Sequence, residues 1–157
     1  MKIKEIREMS TEELEDLVWE LDEIGYWRKA NQVHNYFCIY GEEIEEARLY
    51  KLNEDVLRQL LNRCIEIQNI AEITEGLVSY GQELVNGEWQ DMLTPGKIIK
   101  NKQDIAKILP TCSGFFFGST DYDEYYMRDI EQTEEIIRYV LESTDFKNEE
   151  IYYLASW

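Results

Sequence analysis

Leu14, Leu17, Val18, Leu21 and Ile24 recur at three- and four-residue intervals, the spacing of one helix face. Ser10-Thr11-Glu12-Glu13 precedes them as a capping box, with Ser10 as N-cap and Glu13 reaching back. Gly25 ends or bends this first helix. A second helix is expected over 26–37, with Trp27, Ala30, His34 and Phe37 inward and Gly41 as its stop. Residues 47–52 read as a short strand. Asn53 then caps a third helix whose stripe is Leu57, Leu60, Leu61, Cys64 and Ile67 or Gln68, with Glu54 and Asp55 at its positive end. A short helix is expected at about 103–108. A last long helix, capped by Thr120 or Asp121 and running to about Ser143, carries Tyr126, Ile130, Thr133, Ile137 and Val140-Leu141.

Between residues 76 and 102 the helical period is lost. Gly76, Gly81, Gly87 and Gly96 punctuate the stretch. Asn86-Gly87 signals a type I′ hairpin and Pro95-Gly96 a type II turn. The expectation is a small hairpin and loops, folded onto the helices by Trp89, Met92 and Ile98-Ile99. Residues 151–157 form a candidate final strand, with 47–52 as a possible partner. The fold class expected is mainly α (α+β): one domain, residues 1–157, helical with a small two- or three-stranded β element.

Charge changes the picture. The 157 residues hold 16 Lys plus Arg against 33 Asp plus Glu, a formal charge of −17. That balance argues against direct nucleic-acid binding, which needs clustered cations, and against anionic membranes. Nothing resembles a signal peptide or membrane span, so a cytoplasmic protein is expected. Three widely spaced cysteines, 38, 64 and 112, do not suggest a disulfide framework.

The acids concentrate on the first and last long helices. Residues 12–23 alone hold seven carboxylates, and Glu12, Glu15, Asp16, Glu20 and Glu23 are the candidate partner-binding residues. On a helix this is about one charge per 2.6 Å, denser than the roughly 3.4 Å phosphate spacing of one DNA strand. Such a ridge can imitate nucleic acid toward a protein with a basic surface. A solvated polar face is the alternative explanation of the same residues.

The passage from Thr111 to Tyr126 is compositionally unusual. Gly114 and Gly118 bracket three phenylalanines, and acids and tyrosines follow. Backbone N–H groups there suit an anion and the rings suit stacking. Ser113, Gly114, Phe116, Gly118, Asp121 and Asp123, with Arg28 and Lys29 for phosphate charge, make an alternative nucleotide-binding set. Asp121, Asp123 and Glu124 are hard-cation ligand types, but the alternating pattern of a calcium loop is missing. N-terminal helix charge accounts for them more simply.

His34 is the sole histidine and lies four residues before Cys38, so the two share a helix side. Nucleophilic catalysis with this pair, or acid–base work with Asp121 or Asp123, is the least favoured reading. No zinc spacing, Walker loop or dinucleotide fingerprint occurs, and no cofactor or metal is expected.

Tyr26-Trp27-Arg28-Lys29-Ala30-Asn31-Gln32-Val33-His34, and Leu109-Pro110-Thr111 continuing through Ser113-Gly114-Phe115-Phe116-Phe117-Gly118 to Tyr126, resemble a family of small phage and prophage proteins. The similarity spans about half the chain, with 70–102 as the divergent part. The resemblance implies an origin and carries over no catalytic residues. By analogy with such proteins it favours a non-enzymatic inhibitor of a host defence or nucleic-acid-handling protein.

Overall fold

The computed structural model describes residues 22–44, 49–113 and 119–154. The expected first helix lies outside the described residues except at its end. There, residues 22–27 are not helical and Ile24 is exposed.

Helix α1 spans Asn31–Tyr40, strand β1 Glu42–Ile44 and strand β2 Leu49–Leu52. Helix α2 is Glu54–Ile70, and strands β3 (Ile73–Val85) and β4 (Glu88–Ile99) follow it. Helices α3 (Lys102–Ile108) and α4 (Glu124–Ser143) precede β5 (Ile151–Leu154).

The core forms where α2 and α4 pack together. Leu57, Leu60, Cys64 and Ile67 of α2 meet a buried α4 stripe of Tyr126, Ile130, Thr133, Ile137 and Val140. Both stripes follow the spacing the sequence shows. Asn53 caps α2 by accepting the Val56 N–H at 2.8 Å. Arg63 on the same helix stacks over Tyr36 and Tyr40 and donates to the Ile108 carbonyl.

The mainly helical class with a small β element is overturned. The chain is α+β, with four helices and five strands among the described residues, in two separate antiparallel sheets. In the first sheet β2 lies between β1 and β5. β1 was not expected. The pairing of β5 with β2 sets Tyr153 opposite Tyr50, on the partner segment the sequence suggests.

The second sheet is a two-stranded ribbon of 13- and 12-residue strands, where a small hairpin and loops were expected. Its tip is the expected turn: Asn86 and Gly87 both have positive φ, at 52° and 83°. Pro95-Gly96 is not a turn; it lies within β4, opposite Leu77 and Gly76. A two-stranded ribbon leaves each strand one unpaired edge, so a missing N–H at Pro95 is tolerated. Nor does Trp89 anchor the ribbon to the helices, being 68% exposed. Ile99 does that work, 2% exposed and packed in the core with α2 and α4.

Asn101 closes the ribbon's root. Its amide donates to the Ile70 carbonyl at 2.9 Å and accepts the Glu72 N–H at 2.8 Å. Beside it the Lys100 N–H meets the Glu72 carbonyl at 2.7 Å. No helix among the described residues is long and apolar enough to cross a membrane.

Candidate functional site

The second helix starts later than its periodicity suggests. Residues 26–30 are not helical, and Lys29 takes a left-handed φ of 57°. This bend releases Trp27 from the helix. Its indole N–H donates to Thr133 Oγ1 at 2.9 Å, and its ring meets Phe37 edge-on. The turn also places Asn31 at the start of α1, buried at 1% exposure.

Asn31 joins the two motif passages. Its amide nitrogen donates to the Ser119 carbonyl at 2.9 Å, and its amide oxygen accepts the Cys112 N–H at 3.2 Å. One side chain thus holds both limbs of the segment 112–119. Thr111 Oγ1 ties the same limbs by donating to the Thr120 carbonyl at 3.0 Å. The Tyr122 hydroxyl accepts the Thr111 N–H. Next to Asn31, Gln32 donates to Asp129 on α4.

One turn along α1, His34 Nδ1 lies 2.9 Å from the Tyr153 hydroxyl. Its Nε2 lies 3.2 Å from Cys38 Sγ. The rings of Trp27, Phe37 and Tyr50 surround Tyr153. Burial pushes the imidazole down to about 4 and the Cys38 thiol up. Both shifts keep the proton on sulfur, so at neutral pH the pair is thiol and imidazole rather than thiolate and imidazolium. A nucleophilic cysteine needs the opposite arrangement. Cys64, packed between α2 and α4, is pushed up to about 12 by burial.

The predicted ligand set is partly dispersed. Asp123 caps α4, accepting the N–H groups of Tyr125 and Tyr126, and is only 3% exposed. The cap expected at Thr120 or Asp121 therefore falls at Asp123, whose burial raises its pKa. It is a helix-capping group and does not line an open site. The acid–base pairing of His34 with Asp121 or Asp123 finds no described contact; Tyr153 and Cys38 occupy the described bonds of the ring.

Asp121 is exposed and borders an open cavity of about 290 Å³ with Lys102, Gln103, Ala106, Thr120 and Tyr122. Arg28, Lys29 and Ser113 are also exposed, and neither Arg28 nor Lys29 lines that cavity. Gly114, Phe116 and Gly118 lie outside the described residues, as do Glu12, Glu15, Asp16 and Glu20. Glu23 is described and exposed. Among the described residues no cluster of three metal-ligating side chains forms.

Sequence reasoning passed over Asn31 and Asn101. Asn31 bonds backbone groups on both sides of an excursion of the chain, and Asn101, at one end of the ribbon, bonds backbone groups at the other end. An asparagine shows nothing in sequence of partners that lie, as here, 29 to 88 residues away. The only signal was that Asn31 and Cys112 both sit inside the unusual passages. No protein-family model, curated protein or solved structure matches this chain.

Proposed function

We propose that this chain is a non-enzymatic binding protein that meets a cationic protein surface with its carboxylates. The observation carrying this reading is the excess of acid over base, 33 against 16. The described ion pairs match one base to one acid each and so leave that excess unneutralised. Lys51–Glu150, Arg58–Glu54, Arg128–Glu124 and Arg138–Glu134 are the four among the described residues. On α4, Glu131, Glu135 and Glu142 remain exposed beyond those pairs. Fixed negative charge of this density steers association with a basic partner and makes it salt-sensitive.

The neutral Cys38–His34 pair supports a binding role over catalysis. The resemblance to small phage and prophage proteins directs the reading to a host defence or nucleic-acid-handling protein in the cytoplasm. Glu12, Glu15, Asp16, Glu20 and Glu23 are proposed to add to the same negative surface.

The test is capture of a basic partner from a prophage-bearing host, at low and at molar salt. A second chain carries glutamine or asparagine at these five positions and glutamine at Glu131, Glu135 and Glu142. The complex is expected to dissociate in molar salt and to fail with the amide variant. Retention under both conditions overturns the reading.

A second reading rests on the Asn31 clasp, which holds Cys112 and Ser119 at the two ends of the segment 112–119, the latter next to Thr120 and Asp121 of the open cavity. It assigns that segment to a nucleotide, with Lys102 as the nearby cation. A nucleotide at 100 times its Kd raises stability by about 2.7 kcal/mol. A thermal-shift panel without such a rise removes this reading.

A further inference from the structure

We propose that the outward face of the β3–β4 ribbon is a self-association surface that takes a second copy of this chain. The two faces of the ribbon differ. Val78, Met92, Thr94, Gly96 and Ile98 lie on the inner pleat and are buried or half-buried. The opposite pleat carries Leu77, Leu84, Trp89 and Leu93, each between 53% and 68% exposed. A two-stranded ribbon with one bare apolar face is marginal alone in water and gains by covering it.

The order of residues along this face selects the occupant. From root to tip the cross-strand rows are Ile73–Ile99, Glu75–Lys97 and Leu77–Pro95. Then come Ser79–Leu93, Gln82–Asp91 and Leu84–Trp89, the bulge at Tyr80 keeping the last two rows on the same pleat. The sequence of rows reads nearly the same in both directions: apolar, charged, apolar, apolar, polar, apolar. Ile99 turns into the core, so Ile73 alone presents the root row.

A twofold axis in the interface, perpendicular to the strands and between the third and fourth rows, brings the two middle rows onto each other and the charged row onto the polar one. Leu93 then faces the partner copy's Pro95. Lys97 faces an Asp91, and Glu75 a Gln82. Leu84 at each tip reaches the Ile73 of the other copy's root. This is the isologous, self-complementary contact a twofold dimer requires. The charge order fixes the register, since Lys97 lies toward the root and Asp91 toward the tip of one strand.

Size sets the strength. A ribbon about 40 Å long and about 10 Å wide offers roughly 400 Å² per copy, or roughly 800 Å² for the pair. That is below the roughly 1,200 Å² of stable complexes, so the dimer is weak and concentration-dependent. Salt separates this proposal from the acidic-surface reading. Two chains of charge −17 associate through apolar faces more readily as salt screens their repulsion, whereas docking to a cationic partner weakens.

Sedimentation equilibrium of the full chain over micromolar to millimolar concentration tests it. A reversible monomer–dimer equilibrium is expected, tightening with salt. Leu93→Glu is expected to raise the dissociation constant about tenfold or more. Asp91→Lys and Lys97→Asp each weaken the dimer several-fold, and the double exchange D91K/K97D restores it to about twofold of the parent. Gln90→Lys, exposed on the other pleat, leaves it unchanged. Circular dichroism of every variant confirms that the fold is intact. A chain that stays monomeric throughout, or a dimer indifferent to L93E, overturns the proposal. So does a D91K/K97D chain no tighter than its single exchanges.

Discussion

Asn31 shows how much a single buried amide can organise. It satisfies a carbonyl on one limb of the 112–119 segment and an N–H on the other, with almost no contact to water. Asn31→Ala would strand both groups. The expected loss is about 2 kcal/mol in urea unfolding, with faster hydrogen exchange at the Cys112 amide than elsewhere in the fold. His34 and Asp129 act at the same scale with opposite sign. Burial lowers the imidazole to about 4 from 6.5, so folding favours the neutral ring. The stabilisation is complete above pH 6.5 and is lost as pH falls toward 4. Burial raises Asp129 to about 6 from 3.8, so folding favours its protonated form. That contribution is present below pH 3.8 and lost as pH rises through 6. Asp129→Asn is therefore expected to stabilise the chain at pH 7 relative to the parent, and His34→Gln to flatten the acid limb of the stability profile. Each effect is on the order of 1 kcal/mol after solvent screening, and thermal melts between pH 4 and 7 read both.

The elements differ in how plainly the sequence announces them. α2 and the stripe of α4 were legible because a 3.6-residue period, once buried on one side, leaves few alternatives. Asn53 made the start of α2 legible as well. α1 was placed too early, because Trp27 and Ala30 fall at helical spacing while the left-handed Lys29 breaks the helix between them. The ribbon was the larger omission. Its glycines and proline read as punctuation, yet Gly76 and Gly96 face each other across the strands and let the ribbon approach its neighbours closely. A Cβ at Gly96 would lie 2.7 Å from Val78 Cγ2 and 2.6 Å from Glu124 Oε1. Gly96→Ala should accordingly cost about 1–3 kcal/mol by overpacking, measured as a lowered denaturation midpoint. Gly87→Ala meets no atom within 4 Å and pays only for its positive φ. The candidate site was half legible: two passages stood out in composition, but the long-range bonds that unite them left no mark on either.

At the scale of the molecule, the surplus of carboxylates opposes compaction, while in the proposed function it draws in a cation-bearing partner. Added salt should raise the melting temperature of the isolated chain even as it loosens the proposed complex. The bonds at Asn101 have a separate consequence. Because they fasten Ile70, Glu72 and Lys100 to one another, the ribbon leaves and re-enters the body at a neck closed without its help. It is in effect a detachable arm. Replacing residues 75–97 with a short glycine-rich linker should leave a trimmed chain whose α2–α4 body still unfolds cooperatively, as circular dichroism melts would show. Carried to another scaffold, the arm would need residues 70–101, since Ile70, Glu72, Lys100 and Asn101 form its neck.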